Sequence, residues 1–203
     1  MATTIPSTAK GRATRERIVR AAAELVAEHG VSAVSLDDVG VRARASRSQL
    51  YHYFDDKDAL VRAVVDATSD AVLRAQDGLL EQLDSWAGID RWFAALVGLQ
   101  RERQGRGGCP IGSLAGQLAE RDPRARTAIA DGLGRWEGHL REGLTRMHER
   151  GGLAPAADTA ALATATMATL QGGLLLTQVR RDPEQLRIAL DAARTLLHTA
   201  RVE

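Results

Sequence analysis

The sequence predicts an all-α protein. Hydrophobic residues make up 44% of the chain and charged residues 26%, which is the usage of an ordinary folded protein rather than of a disordered chain. Ala, Leu, Arg and Glu are abundant while aromatic residues are only 3%, and this composition favours helices over strands. Apolar residues at helical spacing divide the 203 residues into about nine helices.

A first helix is predicted from Arg12 to His29, and Gly30 supplies the residue favoured just past a helix end. Its beginning is basic, because five Lys or Arg residues stand against one acid between Lys10 and Arg20. A basic run is usually a solvated helix face. It therefore favours nucleic-acid binding only together with other features.

Two short helices joined by a tight turn are predicted next. Ser35 and Ser46 each precede a helical pattern and are expected to be N-caps, since serine side chains satisfy free backbone N–H groups there. The second short helix runs from Arg47 to about Tyr53. Two short helices braced by a longer one predict a helix-turn-helix, whose second helix enters the DNA major groove.

The groove-facing side of that helix follows from a period of about 100° per residue, with Leu50 and Phe54 turned inward. The outward side chains are those of Arg47, Ser48, Tyr51 and His52, with Gln49 and Tyr53 at the flanks. Arginine can pair with guanine and glutamine with adenine, whereas serine, tyrosine and histidine can hold phosphates. A place in the core is the alternative for the aromatic residues, preferred for Phe54, whereas the groove is preferred for Tyr51.

An ordered series of motifs spans residues 14–65. It consists of Arg17-Ile18, Ala21-Ala22, Gly30, the run Ser35–Val39, the run Ser46–Phe54 and the run Lys57–Leu60. This series resembles the DNA-binding region of the TetR (tetracycline repressor) family of bacterial transcriptional regulators. By the resemblance, the residues that contact DNA are Thr14, Ser35, Arg47, Ser48, Gln49, Tyr51, His52, Tyr53 and Lys57.

The resemblance implies a ligand-responsive repressor that binds a palindromic DNA operator as a homodimer and is released by a small-molecule effector. It implies a helix-turn-helix domain over residues 1–56 and a larger effector-binding and dimerisation domain over residues 57–203. No cofactor and no metal are expected. An effector-independent DNA-binding protein is one alternative. A small helical enzyme is the other, disfavoured because no metal-ligand spacing, phosphate loop or nucleophile motif is found.

Two positions depart from the family pattern. Arg44 stands where the family commonly has a glycine in the turn, and a non-glycine residue at positive φ costs on the order of 1 kcal/mol. We therefore expect a turn that is either reshaped or strained. His52 precedes Tyr53, the reverse of the commoner order, which leaves open which of the two touches phosphate.

Beyond Asp55, which is expected to cap it, a long fourth helix reaching Leu79 is predicted to link the two domains. A fifth helix from Ile89 to Arg103 ends in a glycine-rich loop over residues 105–108, which we expect to be mobile. A sixth helix opens at Pro110, where a missing N–H does no harm.

A seventh helix is predicted from Pro123, with Asp122 as its cap, to the pair Gly151-Gly152. Four glycines interrupt it, each costing up to about 1 kcal/mol relative to alanine. Close helix packing and local flexibility both explain them. They are Gly132, Gly134, Gly138 and Gly143.

Helices eight and nine are predicted to begin after Asp158 and Asp182. Residues 159–179 carry no charge and reach the length of about 20 residues that crosses a bilayer. Because seven of them are Thr or Gln, we expect a buried helix of a soluble protein instead. With no evident solvent face on helix eight, the last two helices are expected to form a dimer interface with a second copy.

The candidate pocket residues of the larger domain are mainly apolar with a few polar groups, as in most ligand pockets. They are Trp92, Phe93, Cys109, Leu114, Trp136, Met147, Met167 and Gln171. Ordinary core packing is the alternative for each of them. Cys109 is the single cysteine, and it could have a redox role or be chemically inert.

The first twelve residues lack the apolar core of a signal peptide. We expect a cytoplasmic protein.

Overall fold

The computed structural model describes residues 6–202; residues 1–5 and 203, which include the start of the segment searched for a signal peptide, lie outside the described part. The described chain is helical, with one isolated bridge between Leu153 and Arg201. Its ten helices are α1 (Ala9–His29), α2 (Leu36–Ala43), α3 (Arg47–Tyr53), α4 (Lys57–Arg74), α5 (Asp77–Leu80), α6 (Trp86–Glu102), α7 (Pro110–Leu118), α8 (Pro123–Glu149), α9 (Thr159–Arg180) and α10 (Glu184–Thr199). The all-α prediction is confirmed, with one short helix more than expected.

Two capping boxes set the start of α2 and α3. The Ser35 N–H donates to Asp38 Oδ2 at 2.9 Å, while Ser35 Oγ accepts from the Asp38 N–H at 3.2 Å. Ser46 and Gln49 repeat the arrangement at α3, with 2.9 Å from the Ser46 N–H to Gln49 Oε1 and 3.3 Å from the Gln49 N–H to Ser46 Oγ. Each box satisfies two backbone N–H donors that a bare helix end leaves free. Both predicted N-caps are confirmed.

The fourth helix differs from its prediction at both ends. In its first turn the Ala59 N–H donates to Asp56 Oδ1, so Asp56 caps the helix in place of the predicted Asp55. It also ends before Leu79, which lies in the separate short helix α5. Between α4 and α5, the Gln76 side chain accepts a hydrogen bond from the Trp92 indole at 2.8 Å. A tertiary contact thus holds the segment where the predicted helix breaks.

The described chain forms two compact units. The first contains residues 6–72 and 113–132, and the second contains residues 73–112 and 133–202. The first unit extends beyond residue 56 because most of α4 and α7 belong to it. The predicted boundary between the DNA-binding and effector-binding functions stays a prediction.

The four glycines of α8 fall into two pairs. A Cβ on Gly132 would lie 2.2 Å from Ser69 Oγ, and a Cβ on Gly143 would lie 2.5 Å from the Leu83 carbonyl oxygen. Gly134 and Gly138 have nothing within 4 Å of that position. Close packing therefore explains one pair and leaves the other pair unexplained.

Helix α9 is apolar on two opposite faces. Its inner face includes Leu170 and Leu174, which are buried in the second unit. Its outer face exposes Leu175 and Val179 at 59% and 72%. Among the described helices, α9 is the one that by length and composition could cross a membrane, and 33% of its most apolar window is buried. Core helices of soluble proteins meet the same criterion.

Candidate nucleic-acid interface

The turn between α2 and α3 contains a strained residue. Arg44 has φ 49° and ψ 48°, which is the left-handed conformation that L-residues avoid. The N–H of the next residue, Ala45, donates to the Gly40 carbonyl oxygen at 2.9 Å and closes the turn. A Cβ on Gly40 would lie 3.2 Å from both Ala45 O and Leu50 Cδ1, so the two helices meet tightly. Of the two outcomes expected for this turn, the strained one is found.

The inner side of α3 is fixed by core packing and by two arginines of α1. Leu50 and Phe54 are 2% and 1% exposed, so Phe54 is a core residue as preferred. The Arg15 guanidinium lies 5.3 Å from the centre of the Phe54 ring. Arg17 Nε donates to the Ala43 carbonyl oxygen at the end of α2 at 2.9 Å. These two members of the basic run therefore brace the three-helix bundle.

The outer side of α3 presents a continuous polar surface. Arg47, Ser48, Gln49, Tyr51 and His52 are exposed, while Tyr53 is half-buried beside His52. The Arg47 guanidinium lies 5.8 Å from the Tyr51 ring, and a hydrogen bond with the Tyr51 side chain raises the pKa of Arg47. One cation and one aromatic ring are thus paired on the face predicted to meet the groove. We call Arg47 and Tyr51 the recognition pair.

Three predicted DNA contacts are occupied by hydrogen bonds within the chain. The Thr14 hydroxyl donates to the Lys10 carbonyl oxygen at 3.0 Å and its side chain is buried. Ser35 holds the α2 capping box, and its hydrogen bonds lower the pKa of the Asp38 carboxyl. Gln49 Oε1 accepts the Ser46 N–H. Pairing with adenine uses the amide oxygen as well as the amide nitrogen, so the capping box, which holds Gln49 Oε1 toward the Ser46 N–H, competes with that pairing.

The first unit carries further exposed or half-buried cations. Lys10, Arg12 and Arg20 of α1 are exposed, and Lys57 is half-buried at the start of α4. Arg42 is different, because it forms ion pairs with Glu24 and Glu28 at 3.5 and 3.2 Å. Sequence reasoning did not include Arg44 among the contacts, although its charge and its place beside α3 were visible.

The candidate pocket residues do not form one group. Seven of the eight are buried and Gln171 is half-buried, but Leu114 belongs to the first unit and the others to the second. Burial raises the pKa of the Cys109 thiol, and interactions with the backbone N–H groups of Gly112 and Ile111 and with the Gln171 side chain offset this only in part. A buried neutral thiol is a poor nucleophile, so inertness is the favoured alternative for Cys109. Within residues 6–202, no cluster of three or more His, Cys, Asp or Glu is arranged to hold a metal ion.

A surface groove of about 360 Å³ lies between α6 and α10. Phe93 is the predicted pocket residue that lines it. The Arg194 guanidinium crosses it to reach Asp90, with Nε 2.8 Å from Oδ1. The alternation of Arg187, Asp191 and Arg194 at helical spacing was a signal for this charged rim that the sequence interpretation did not use.

Two family models of the same kind of regulator match the N-terminal and C-terminal parts of the chain. A family model described as bacterial regulatory proteins, tetR family, matches residues 18–64, and one described as tetracyclin repressor-like, C-terminal domain, matches residues 86–193. An uncharacterised HTH-type transcriptional regulator of Mycobacterium tuberculosis is 31% identical over 199 residues, covering 90% of this chain and 93% of the relative. Transcriptional regulator AcuR of Cereibacter sphaeroides is 28% identical over 84% of this chain and 79% of its own.

Solved structures share the fold. A TetR-family transcriptional regulator of Cytophaga hutchinsonii has a TM-score of 0.82 at 16% identity, covering 98% of this chain and all of its own. A TetR transcriptional regulator of Chloroflexus aurantiacus has a TM-score of 0.77 at 23% identity, covering 97% of this chain and all of its own.

Proposed function

The chain belongs to the TetR family of bacterial transcriptional regulators, and from this premise we propose that it binds a near-palindromic operator as a homodimer and leaves it when a small-molecule effector binds. Membership of the family makes it a helix-turn-helix regulator that binds DNA. The proposal adds the dimer, the effector, repression of the controlled genes and a cytoplasmic location. The division into a DNA-binding domain (1–56) and an effector-binding domain (57–203) is also part of the proposal.

The observation that carries the DNA-binding part is the recognition pair on the outer side of α3. Arg47 lies at the first position of the helix, where side chains of recognition helices reach base edges. Because an arginine can bond guanine O6 and N7 together, we assign base recognition to Arg47 and its partner Tyr51. Ser48, His52, Tyr53 and Lys57 would hold phosphates. Gln49 keeps the two N–H donors of its Nε2, which would contact acceptors on DNA while the capping box holds its oxygen.

Selection of bound duplexes from a random pool tests this assignment. Arg47→Ala is expected to relax base preference at one position of each half-site, with a loss of about 1–3 kcal/mol on the selected operator. Lys57→Ala is expected to weaken operator and random DNA alike. Arg106→Ala, which removes an exposed cation from the second unit, is the matched control and should change neither. Equal losses for Arg47→Ala on operator and random DNA would remove Arg47 from base recognition.

The dimer proposal is supported by the outer face of α9. Its exposed residues carry no charge and recur at helical spacing: Ala161, Ala168, Gly172, Leu175, Leu176 and Val179. Ile188 and Leu196 of α10 are also exposed, at 53% and 39%. A Cβ on Gly172 would meet nothing within 4 Å, so the packing of the single chain does not require a glycine there. A partner helix that approaches α9 closely would require a glycine at this position.

Light scattering on purified variants tests the interface. Gly172→Trp places bulk where the single chain has open space, and it is expected to give a monomer at concentrations where the wild type is a dimer. Operator affinity should then fall by at least about tenfold, because the two half-sites no longer act together. Gly134→Trp is the matched control, since Gly134 is likewise exposed, helical and without neighbours. A dimeric Gly172→Trp protein would exclude this face.

The effector part rests on family membership and on the apolar interior of the second unit. Effector binding would change the separation of two recognition helices, which must sit about 34 Å apart to enter successive major grooves. A release screen on the selected operator tests it. A compound that binds tightly yet leaves operator affinity unchanged is no effector. If no compound releases the protein, the effector-independent regulator becomes the better description.

A further inference from the structure

Two buried hydrogen-bond donors in the second unit lack partners. Trp136 is 3% exposed, and its indole Nε1 donates to nothing within the chain. The amide Nε2 of Gln171 is buried and lacks a partner as well. An unsatisfied buried donor costs about 1–3 kcal/mol, so such groups are usually bonded to something. A partner from outside the chain would satisfy both.

The two donors stand on helices that contact each other. Helices α8 and α9 are antiparallel, because Thr145 pairs with Thr159 and Glu137 pairs further along with Thr164, at 3.2 and 2.7 Å. Measured from the first of these pairs, Trp136 lies nine residues back along α8 and Gln171 lies twelve residues forward along α9. The offset is three residues by this pair and six residues by the pair Glu137–Thr164, which corresponds to roughly 4.5–9 Å along the helices at 1.5 Å per residue.

No fully buried side chain of the described residues carries a charge. The Gln171 side chain lies beside Gly112 and interacts with the Cys109 thiol, which burial keeps neutral and which is a weak acceptor, so that Nε2 still lacks a partner of full hydrogen-bond geometry. The buried polar side chains of the described residues are Thr14, Ser69, Gln100, Thr166 and Thr177, and none of these is ionisable in the physiological range. A charged ligand would therefore enter a core without a counter-charge, which is costly.

We propose that Trp136 and Gln171 donate hydrogen bonds to the oxygen of an uncharged, largely apolar effector, such as a carboxamide, ketone or ester. Two donors and no buried charge select a neutral acceptor and exclude the corresponding carboxylate. This inference rests on the proposed effector binding and supplies its chemical class. An ordered water bridging both donors is the competing occupant.

Benzamide and benzoate form a matched pair of probes, because they share size and ring and differ in charge. Each is titrated into the full-length protein without DNA, and the indole N–H resonances of its tryptophans are followed by ¹H–¹⁵N correlation. Benzamide is expected to shift the Trp136 resonance saturably, whereas benzoate should not. Trp92 is the internal control, since its indole N–H is already bonded to Gln76 and should stay in place.

Two substitutions remove the donors while keeping most of the volume. Trp136→Phe assigns the resonance, and both Trp136→Phe and Gln171→Leu are expected to weaken benzamide binding by about tenfold each, the effect of one hydrogen bond. An unchanged Trp92 resonance shows that each variant is folded. Benzamide binding can be followed in Trp136→Phe by the ligand's own signals.

Three results overturn the proposal. They are benzoate binding as tightly as benzamide, benzamide leaving the Trp136 resonance unmoved, and full benzamide affinity in both variants. The second result, with a persistent water contact at the indole, identifies water as the occupant. Because no DNA is present, these failures leave operator binding and dimerisation untouched. Failure of the operator selection would in turn leave the titration result standing.

Discussion

Replacing Arg44 with glycine is expected to stabilise the protein, although it removes a residue beside the recognition helix. Arg44 ends α2 in the left-handed conformation, at φ 49° and ψ 48°. In that region the Cβ of an L-residue crowds the following carbonyl group. Glycine has no Cβ and occupies the region freely. The rest of the turn, including the hydrogen bond from Ala45 to Gly40, can remain as it is.

The magnitude is a difference of two terms. Relief of the left-handed conformation is worth about 1–2 kcal/mol. Glycine makes the unfolded chain more flexible, which costs about 0.5–1 kcal/mol. The net gain for Arg44→Gly is therefore about 0–1.5 kcal/mol, with a middle value of about 0.8 kcal/mol. For a chain of this size the middle value corresponds to a rise in Tm of roughly 2–3 °C.

Urea unfolding at one fixed protein concentration measures the gain without interference from subunit dissociation. Arg44→Ala is the control, because it removes the same charge and keeps the Cβ. Its stability should stay within about 0.5 kcal/mol of the wild type. An equal gain in both variants would mean that charge repulsion, not backbone strain, is relieved. A loss of stability in Arg44→Gly would refute the strain argument altogether.

Two further predictions concern the second unit. Gly143→Ala is expected to destabilise the protein by about 1–3 kcal/mol, because its Cβ would press on the Leu83 carbonyl oxygen. Gly134→Ala, with open space around it, should stabilise the protein by up to about 1 kcal/mol. Urea unfolding compares the two variants, and similar effects would contradict the packing explanation. Asp84 accepts a hydrogen bond from Arg150 at 2.9 Å, which holds its pKa below the ordinary value. Its contribution to stability is therefore complete above the unfolded-state pKa and is lost as the pH falls through the folded-state pKa. The stability difference between wild type and Asp84→Asn should shrink over that acidic range, and a constant difference would argue against the ion pair.

Local rules explain why much of the fold could be predicted from the sequence. Ser35 and Ser46 were identified as N-caps, and Asp158 as the start of its helix, because a cap depends on residues within one helical turn. The same rule could not distinguish Asp55 from Asp56, since adjacent aspartates are equally suited to capping. The break after α4 was missed because it involves the hydrogen bond between Gln76 and Trp92, and sixteen residues of separation leave no local pattern.

The candidate site, like the fold, could be predicted from the sequence only in part. Helical periodicity predicted which α3 residues are exposed and that Phe54 is buried, because one inward pair fixes the orientation of a short helix. Periodicity carries no information on side-chain hydrogen bonds. It therefore could not show that Thr14 bonds the backbone or that the Gln49 amide oxygen is occupied. The unsatisfied donors of Trp136 and Gln171 likewise depend on contacts between helices.

Helix α3 has to be stable and to recognise DNA with only seven residues. A helix of this length does not persist alone in water, so capping and packing must hold it. Ser46 and Gln49 cap its start and Leu50 anchors it in the core, which leaves Arg47 and Tyr51 free on the outer side. Changes at Ser46 or Gln49 would therefore lower DNA affinity by loosening the helix, for every sequence alike. A change of base preference should come from the recognition pair.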